Sequence, residues 1–328
     1  IGESTVKTHL IHAFEKLDFV MVDDIFMTAT AEAADLVLPA TSSLERWGYR
    51  AYSSFDRGFL ALSRPVADPV GESRDVFRME HDLAQRMGLG ADYPFNDSRS
   101  WVGHMLAPSG VTLDQLEREQ ITYVTGEPRY RKYEKAGFQT PSGKLEFFSM
   151  GLHNLLTAKA SDGAAMDKML KALGVTASGS AALMPHYEPV ATGGHGKLVL
   201  AASASLRASA ASQTTAPYQI KVLDNTVLSH TKDMVVEINP ATAAELHLAE
   251  DDRVRVDSAA GGAEARVHLF AGVAPGMIYM PVGLGHFAPA NAFTFERGGN
   301  YNRVAEATAD PLSGTPVWSL TQVAVTKL

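Results

Sequence analysis

Apolar and polar residues alternate in two different ways along this sequence, and the first third has the pattern of a mixed α/β domain. Apolar runs of strand length predict two strands, at residues 18–22 and 36–38. Helical spacing of apolar residues predicts three helices, at residues 4–17, 28–34 and 73–87. Alternating helices and strands are typical of a parallel, doubly wound sheet, and only part of such a sheet is present.

The helix expected over residues 73–87 has a clear apolar stripe. We expect its inward face to consist of Val76, Met79, Leu83 and Met87. Further along, the segment TLDQLEREQ predicts a short helix capped by Thr112, and the segment YRKYEKAGFQTPSGKLEFFS predicts a turn followed by an edge strand. Residues 157–196 are rich in Ala, Gly and Ser, which favours a linker and a domain boundary there.

From Lys197 onward the pattern changes to short alternating strands. Residues 253–257 and 265–269 alternate around Gly261 and Gly262, which predicts a hairpin. Further strands are predicted at residues 197–200, 234–238, 277–282 and 322–325, and one helix at residues 240–248. Short strands with one helix favour a small β-barrel.

Composition narrows the possible functions. The 328 residues suffice for two domains, and the net charge of −8 argues against nucleic acid as a partner. The absence of cysteine excludes disulfides, thiolate-bound metal clusters and cysteine nucleophiles from this chain. The long uncharged run at residues 268–295 is interrupted by Pro and Gly, so we expect no membrane span. The chain starts on Ile1 within a helical pattern, which favours a piece of a longer polypeptide.

Candidate chemistry is concentrated in four polar loops. The first follows the first strand and the second is the turn around Ser142; the third runs from Ser203 to Thr215, and the fourth lies around Asn300. Hydroxyls, amides and free backbone N–H groups are what an extended, phosphate-bearing ligand needs. Ordinary turns are built from the same residue types, so each loop taken singly favours that alternative.

Taken together, four segments resemble the molybdopterin oxidoreductases of the dimethyl sulfoxide reductase type. The segment DDIFMTATAEAADLVLPATSSLERWG is similar to the family pattern at a strand end, and TPSGKLEFFS is similar to its Thr-Pro-Ser-Gly-Lys turn. The segment VVEINPATAAELHLAEDDRVRVDSAAG resembles part of its molybdopterin-dinucleotide-binding domain. The segments GGNYNRV and DPLSGTP resemble the Gly-x-Asn-x-Asn and Asp-Pro-x-Ser-Gly motifs with which the family's sequences end.

This resemblance implies an architecture for the carboxyl-terminal portion of a large subunit. Residues 1–105 would be the second half of an α/β, Rossmann-like domain, residues 106–195 a return segment and linker, and residues 196–328 the dinucleotide-binding β-barrel with short helices. The expected fold is therefore a partial doubly wound parallel-sheet domain followed by a β-barrel domain.

The resemblance also implies a ligand and its contacts. The expected cofactor is molybdopterin guanine dinucleotide with molybdenum or tungsten. The residues that match the family's motifs, and would bind it, are Asp23, Asp24, Thr28, Thr30, Ser142, Gly143, Lys144, Ser203, Ser205, Arg207, Gln213, Asn300 and Asn302. A carboxylate at the strand end would accept two hydrogen bonds from guanine, and hydroxyls and N–H groups would hold a pyrophosphate. Asp35, before a strand, is expected to be an anchor rather than a ligand.

Two departures from the family limit this assignment. The third loop, AASASLRASAASQTTAP, lacks the histidine or tryptophan of many relatives. The metal ligand and the iron–sulfur cysteines lie upstream in the family, so clusters are expected only on upstream or partner segments. No catalytic residue is therefore assigned within this chain.

The implied function is cofactor binding within a respiratory oxidoreductase of the polysulfide, thiosulfate and tetrathionate reductase branch. The implied partners are the remainder of the large subunit, an iron–sulfur subunit and a membrane subunit that interacts with quinone, and the implied location is periplasmic. A different class remains open. In it, the same fold would be a cofactor-free scaffold subunit of a membrane quinone reductase complex.

Overall fold

Two compact units make up the part of the chain that the computed structural model describes. The described residues are 14, 16–53, 57–126, 130–131, 133–188, 194–205, 217–223, 225–229, 232–286, 288–291, 295–306, 308–310, 312–315, 317 and 319–328. Residues 17–135 form one unit, here called the α/β unit. Residues 136–328, grouped with the chain's first residues to Lys16, form the other, here called the barrel unit. The helix expected over residues 4–17 lies almost entirely outside the described residues.

The α/β unit contains the predicted parallel pair of strands. Strand β1 (Met21–Asp24) lies beside β2 (Leu36–Pro39), and α1 (Ala29–Glu32) connects them. The pairing is parallel, with Met21 opposite Leu36 and Asp24 opposite Pro39. The observed β1 begins later than the predicted strand and includes both aspartates.

An antiparallel sheet that the sequence pattern did not predict completes this unit. Its strands, in the order in which they pair, are β3 (Gly48–Ser53), β4 (Gly58–Ser63) and β5 (Ile121–Tyr123). The helices of the unit are α2 (Val76–Arg86), α3 (Ser98–Leu106) and α4 (Leu113–Glu119), with 3₁₀ turns at Gly90–Asp92 and Ala107–Ser109. The core of the unit consists of Leu60, Val102, Leu106, Val111 and Leu116. The compact unit thus continues past the boundary expected at residue 105.

Side-chain caps fix where these helices begin. The Asp75 carboxylate accepts a hydrogen bond from Phe77 N at 3.0 Å and begins α2. Asp97 and Ser100 form a capping box at the start of α3, and Thr112 caps α4 as predicted. The expected inward face of α2 is wrong, because no residue of this helix is buried and Leu83 is 44% exposed.

Residues 136–188 of the barrel unit fold into a small helical cluster rather than a linker. The cluster follows α5 (Tyr133–Ala136) and contains α6 (Met150–Thr157), α7 (Gly163–Ala172) and a 3₁₀ turn at Gly179–Leu183. Its core consists of Leu156, Met166, Leu170, Val175, Ala182 and Leu183. The edge strand expected after the turn at residues 140–144 is wrong, because residues 145–149 form no strand.

A closed β-barrel is the main feature of the barrel unit. Its strands are β6 (Leu198–Ser203), β7 (Leu228–Ser229), β8 (Asp233–Ile238), β9 (Arg253–Ser258), β10 (Gly261–Leu269), β11 (Met277–Pro281) and β12 (Gln322–Lys327). The pairing order is β10-β9-β12-β6-β11-β8-β7, and an additional β10–β8 pairing closes six of these strands into a ring. Short helices connect them: α8 (Pro217–Lys221), α9 (Pro240–Glu245) and a 3₁₀ turn at Tyr301–Arg303.

Alternation of side chains fills the barrel. In β9, Val254 and Val256 are fully buried, while Arg253 and Arg255 face outward. Leu200, Ile238 and Ile278 add to the same core. The predicted hairpin is confirmed, with Gly261 opposite Ser258. No helix in the described part of the chain combines the length and the apolarity that crossing a bilayer requires.

Candidate functional site

The carboxyl ends of β1 and β2 bring two acidic residues to one edge of the parallel sheet. Asp23 is opposite Leu38, and Asp24 is opposite Pro39. Paired residues of neighbouring strands share a face, so the Asp23 and Leu38 side chains lie on one face and Asp24 lies on the other. The two aspartates therefore have different surroundings and different uses.

Asp24 is used by its own turn. Its Oδ1 accepts hydrogen bonds from the backbone N–H groups of Ile25 (2.7 Å) and Phe26 (3.2 Å). Its Oδ2 accepts one from the Thr28 hydroxyl (3.2 Å), and Thr28 Oγ1 in turn accepts one from Ala31 N (3.3 Å) at the start of α1. Asp24 and Thr28 thus shape the turn between β1 and α1.

Asp23 is the aspartate with capacity for a ligand. Its Oδ1 is buried and has no hydrogen-bond partner among the described residues. Burial of the carboxyl, together with the negative charge of Glu80 on α2, raises the pKa of Asp23. Glu80 itself accepts a hydrogen bond from the Tyr93 hydroxyl. A buried carboxylate oxygen without a donor costs free energy, so this position favours a ligand that donates.

A cleft of about 870 Å³ opens beside the carboxyl end of β2. Leu38 and Pro39 line one side of it, and the residues of α2 that line the other side include Arg78, Met79 and Leu83. The apolar stripe of α2 therefore faces this cleft instead of the core. Leu38 is opposite Asp23 and Pro39 is opposite Asp24, so the cleft adjoins the end of the parallel pair where the two aspartates lie, although neither aspartate lines it.

Positive charge without a partner is the second property of this cleft. Its lining includes the arginines Arg74, Arg78 and Arg86. Among the described residues, no hydrogen bond or ion pair engages any of the three guanidinium groups. Of the four lining carboxylates, Asp75 and Asp97 accept from backbone N–H groups at helix starts, which leaves Glu72 and Asp82. Guanidinium groups in this state favour a phosphate or another oxyanion.

The other predicted residues of this unit have simpler surroundings. Thr30 lies within α1 and is partly buried. Asp35 accepts a hydrogen bond from Val20 N at 2.8 Å, which ties the start of β2 to β1, as expected of an anchor.

The predicted turn around Ser142 satisfies most of its own polar groups. The Thr140 hydroxyl donates to Lys144 O (2.6 Å), and Lys144 N donates to the Ser142 hydroxyl (3.2 Å). Gly143 N donates to Thr140 O, and Ser142 N donates to Glu146 (2.7 Å). All five residues from Thr140 to Lys144 are in a turn or bend, and Ser142, Gly143 and Lys144 are exposed. The Lys144 ammonium remains available for an anion.

The barrel brings the third and fourth loops to one of its ends. Ser203 ends β6 opposite Pro281, which ends the parallel strand β11, and Ser203 O accepts from Val282 N at 3.0 Å. The chain then reaches Gly285, where an added Cβ would overlap the backbone of Asn300. Ser203 and Asn300 thus lie at the same end of the barrel, linked through residues 281–286. Ser205 follows Ser203, while Arg207 and Gln213 lie outside the described residues.

Asn300 and Asn302 are engaged by the fold at this end. Asn300 Oδ1 accepts from Asn302 N (2.9 Å) and begins the 3₁₀ turn at Tyr301–Arg303. The Asn300 side chain is 7% exposed and its Nδ2 lies 3.5 Å from Gly285 O. The Asn300 side chain therefore holds the loop in place, and Asn302 takes part through its backbone N–H.

Sequence reasoning missed three groups of the α/β unit: Arg78, Glu80 and Tyr93. Glu80 and Tyr93 are far from Asp23 in the chain, and no motif connects them. A signal did exist for the arginines, since Arg78 and Arg86 recur at helical spacing beside the apolar stripe of α2. That pattern gives an amphipathic helix whose apolar face is bordered by cations.

Comparison with known proteins gives this arrangement a family. Residues 3–86 match the family model described as Molybdopterin oxidoreductase, and residues 209–321 match the one described as Molydopterin dinucleotide binding domain. The chain belongs to the molybdopterin oxidoreductase family. The two matches cover the segment with Asp23 and the segment with Asn300, so the family resemblance read from the sequence is confirmed.

Curated relatives of the family include whole respiratory and reductase subunits. The chain is 25% identical to the thiosulfate reductase molybdopterin-containing subunit PhsA of Salmonella typhimurium over 95% of this chain and 40% of the relative. It is 30% identical to the arsenate respiratory reductase molybdopterin-containing subunit ArrA of Chrysiogenes arsenatis over 58% of this chain and 24% of the relative. Compared with PhsA, the chain spans about two fifths of the length.

A solved structure supports the fold. Acetylene hydratase from Pelobacter acetylenicus superimposes with a TM-score of 0.69 at 23% identity, covering 96% of this chain and 41% of that one. The predicted fold class, an α/β domain with a β-barrel and short helices, is thereby confirmed.

The residues of the α/β unit fit the dinucleotide of this molybdopterin family. The matched domain supports a molybdopterin dinucleotide with molybdenum or tungsten as the cofactor. A base that donates hydrogen bonds suits the buried Oδ1 of Asp23, and a diphosphate suits the guanidinium groups of Arg74 and Arg78. No group of three or more His, Asp or Glu residues in the described ranges has the geometry to hold a metal ion.

Proposed function

We propose that this chain is the dinucleotide-binding part of an oxidoreductase subunit, and that it holds a guanine dinucleotide of molybdopterin. One observation carries the proposal: the buried Oδ1 of Asp23, without a hydrogen-bond partner, at the carboxyl end of a parallel strand. Ligands of open α/β sheets bind at that edge. When bound, the molybdenum or tungsten centre supplies the two-electron chemistry, and this chain supplies binding and orientation.

The chemistry of Asp23 favours guanine among the bases. The guanine edge presents N1–H and an amino group side by side, and an ionised carboxylate accepts from both. Such charge-assisted pairs are about twice as strong as neutral ones. In cytosine and adenine, the ring nitrogen beside the amino group is an acceptor. An ionised carboxylate, which can only accept, would face that nitrogen with no proton between them.

The arginines of the cleft favour the phosphates of the same ligand. Arg74 and Arg78 line the cleft beside the carboxyl end of β2, and their guanidinium groups have no partner among the described residues. A dinucleotide carries its diphosphate a few bonds from the base, so one molecule would engage both parts. Planar guanidinium groups hold phosphate oxygens in pairs.

Reduction of an inorganic sulfur compound is the activity we propose for the whole protein. The thiosulfate reductase subunit PhsA aligns with nearly all of this chain, which supports the branch that acts on thiosulfate, polysulfide and tetrathionate. The names of PhsA and ArrA describe subunits, which supports assembly of the whole protein with further subunits. We propose that these are an iron–sulfur subunit and a quinone-interacting membrane subunit. We place that assembly, as part of the same proposal, on the periplasmic side of a membrane.

The test is cofactor analysis of the natural-length protein with the subunits that copurify. Elemental mass spectrometry measures molybdenum and tungsten, fluorescence measures oxidised pterin, and acid release measures the nucleotide. We expect one metal, two pterins and two guanine nucleotides per subunit, as the bis(dinucleotide) cofactor requires. Asp23→Asn should lower the guanine content, because an amide donates where the base also donates. Asp18→Asn, at an exposed carboxylate, is the matched control and should change nothing.

A scaffold function is the second candidate, and one observation favours it. The turn around Ser142 and the side chain of Asn300 are engaged within the chain, as in a protein that binds no cofactor. A complex that passes electrons to quinone but contains neither metal, pterin nor guanine nucleotide would establish this scaffold role and overturn the first proposal.

A further inference from the structure

The three-stranded sheet of β3, β4 and β5 is apolar on both of its faces. On the inner face, Leu60 of β4 is buried in the core of the α/β unit. The outer face of β4 contains Phe59 and Ala61, which lie opposite Tyr123 and Ile121 of β5. An antiparallel sheet with one solvated face has polar residues on that face. The outer face of this sheet therefore has the composition of a surface that another part of a protein covers.

Three aromatic rings cross the outer face from one edge strand to the other. Tyr52 of β3 is opposite Phe59, and Phe59 is opposite Tyr123. The rings of Tyr52 and Phe59 stack with centroids 4.8 Å apart, and those of Phe59 and Tyr123 meet edge to face at 5.9 Å. The Arg57 guanidinium lies over the Tyr123 ring, 3.8 Å from its centroid. These contacts hold the rings in place, so the surface is formed before anything binds to it.

This surface, here called the aromatic face, consists of Tyr52, Phe59, Ile121 and Tyr123. Within the chain, Tyr52 is 48% exposed, Ile121 52% and Tyr123 53%. A contiguous apolar patch of this kind marks a site of interaction, and tyrosine is enriched at protein interfaces. The aromatic face thus suits a polypeptide segment with an apolar side.

Resting on the proposed function, in which this chain is part of a longer oxidoreductase subunit, we propose that the remainder of that subunit packs on the aromatic face. The occupant is a segment of the same polypeptide outside residues 1–328. Its apolar side chains would cover the three rings and Ile121.

The length of the relatives favours this occupant. PhsA aligns with 95% of this chain, yet the chain covers only 40% of PhsA, and it covers 24% of ArrA. Each of these relatives therefore has more polypeptide outside the aligned region than inside it. Such a length is ample to cover a face three strands wide.

The rest of the α/β unit favours the same occupant. Met21 and Leu36 oppose each other in the parallel pair, and they are 39% and 42% exposed, although parallel sheets are covered on both faces. More than half of the exposed large apolar side chains among the described residues lie in this unit, which has about a third of the chain. A long stretch of polypeptide would cover several such surfaces, whereas a copy related by a two-fold axis covers one self-complementary surface.

The test is photo-crosslinking within the natural-length protein and the subunits that copurify with it. The photoreactive amino acid p-benzoylphenylalanine replaces Tyr52 in one variant and Tyr123 in another, and mass spectrometry identifies the peptide that each captures. We expect a peptide of the same polypeptide from outside residues 1–328. The same replacement at Tyr187, which is 78% exposed on the helical cluster, is the matched control and should capture no such peptide.

Ile121→Glu provides a second readout on the same face. The new carboxylate would be buried in the contact without a partner, so the yield of the crosslink from position 52 should fall at least about tenfold. Tyr187→Glu introduces the same charge away from the aromatic face and should leave the yield unchanged. Since Ile121 is half-exposed within this chain, its substitution should leave the α/β unit folded, which circular dichroism checks. An Ile121→Glu protein that is folded and crosslinks as well as the wild type would refute the proposal.

The other outcomes also decide the matter. A crosslink from position 52 or 123 to a different subunit or to a second copy of this chain would overturn the proposal. The absence of any crosslink, or an equal yield from position 187, would overturn it too. The proposed function is measured separately, as metal, pterin and guanine nucleotide in the same preparations. Cofactor with a crosslink elsewhere refutes only the role of the aromatic face, and the expected crosslink without cofactor refutes only dinucleotide binding.

Discussion

The Thr28 hydroxyl donates a hydrogen bond to Asp24 Oδ2 at 3.2 Å and accepts one from Ala31 N at 3.3 Å. One hydroxyl thus connects the end of β1 with the start of α1. The helix is only four residues long, so its cap is a large share of what stabilises it. Family resemblance places both residues beside a nucleotide, whereas their contacts within the chain give them a structural task.

Thr28→Ala should therefore destabilise the α/β unit. Loss of an N-cap costs about 1 kcal/mol, and the Asp24 carboxylate loses a donor as well. Urea denaturation, followed by far-ultraviolet circular dichroism, measures the free energy of unfolding. Thr28→Ser keeps the hydroxyl and should recover most of the loss. An Ala variant as stable as the wild type would show that the cap contributes nothing.

Gly285 should tolerate alanine far worse than Gly276 does. Both have left-handed backbones, with φ of +68° and +78°, so alanine is strained at either position by about 1–2 kcal/mol. At Gly285 the new methyl also overlaps the backbone of Gly299 and Asn300, while at Gly276 no atom lies within 4 Å. Overpacking adds about 1–3 kcal/mol, so the difference between the two variants in chemical denaturation isolates the steric part. Equal losses would contradict the close approach of the two loops.

The pair His186 and Glu188 should give the helical cluster a stability maximum in mild acid. Hydrogen bonds from Thr176 and its neighbours lower the pKa of Glu188 to about 2, so its contribution is complete above about 4.5 and is lost as the pH falls toward 2. The bond from His186 to Met184 O, and then its contact with Glu188 at 2.8 Å, raises the pKa of His186 above 6.5. The histidine contribution is present below 6.5 and is lost as the pH rises through the raised value.

Melting temperatures of wild type and Glu188→Gln from pH 2 to 9 test this expectation. The difference between the two proteins should be largest between about pH 4.5 and 6.5, where both contributions are present. Glu264→Gln breaks an exposed pair with Arg253 and is the control, for which little change is expected at any pH. A difference that did not vary with pH would rule out the ionic part of this contact.

Truncation to alanine should destabilise the protein much more at Leu200 than at Leu83. Leu200 is fully buried in the barrel, and its truncation should cost about 2–5 kcal/mol in the free energy of unfolding. Leu83 is 44% exposed on the cleft, so Leu83→Ala should cost less than about 1 kcal/mol. Denaturant titration of both variants decides the matter. A large loss of stability in Leu83→Ala would show that this face of α2 packs in the core, as its periodicity predicted.

Arg78→Gln should weaken nucleotide binding through the phosphates rather than the base. We expect affinity for GDP to fall roughly fivefold and to depend less on salt, since one exposed charge is removed from the cleft. Arg118→Gln, on the exposed surface of α4, is the matched control. The preference among GDP, CDP and ADP should remain that of the wild type, because Asp23 is unchanged. A changed preference among the three nucleotides would show that Arg78 contacts the base rather than the phosphates.

Local patterns predicted the barrel well, and their failures have physical reasons. The alternation in residues 253–257 and the glycines at 261 and 262 specify a hairpin by themselves, because both strands bury one face. The apolar stripe of α2 was also real, but periodicity shows which face of a helix is apolar and not what covers it. Leu83 and Met79 therefore line a cleft where a core was expected.

The candidate site was predictable only in part. Asp23 was a candidate because it follows the predicted strand and matches a family motif, and both signals are local in the sequence. Glu80 and Tyr93 bond to each other through packing of α2 and the following turn, and such a contact depends on tertiary structure. The three-stranded sheet of β3, β4 and β5 was missed for a similar reason, since β5 joins β4 from a distant part of the chain.

The β10–β8 pairing joins residues 266–269 to residues 235–238 and closes the barrel. This closure should make amide-proton exchange slower in the barrel than in the two-stranded parallel sheet of the α/β unit. In the ring of six strands, each is bonded on both sides, so a single seam can open while the others keep every strand in place. An opened seam closes again readily because both of its strands stay in place, so protons in β8 should exchange slowly. The parallel pair of β1 and β2 has one seam, and its protons exchange whenever that seam opens. A short exposure to heavy water should therefore label the amides of residues 36–38 before that of Val236.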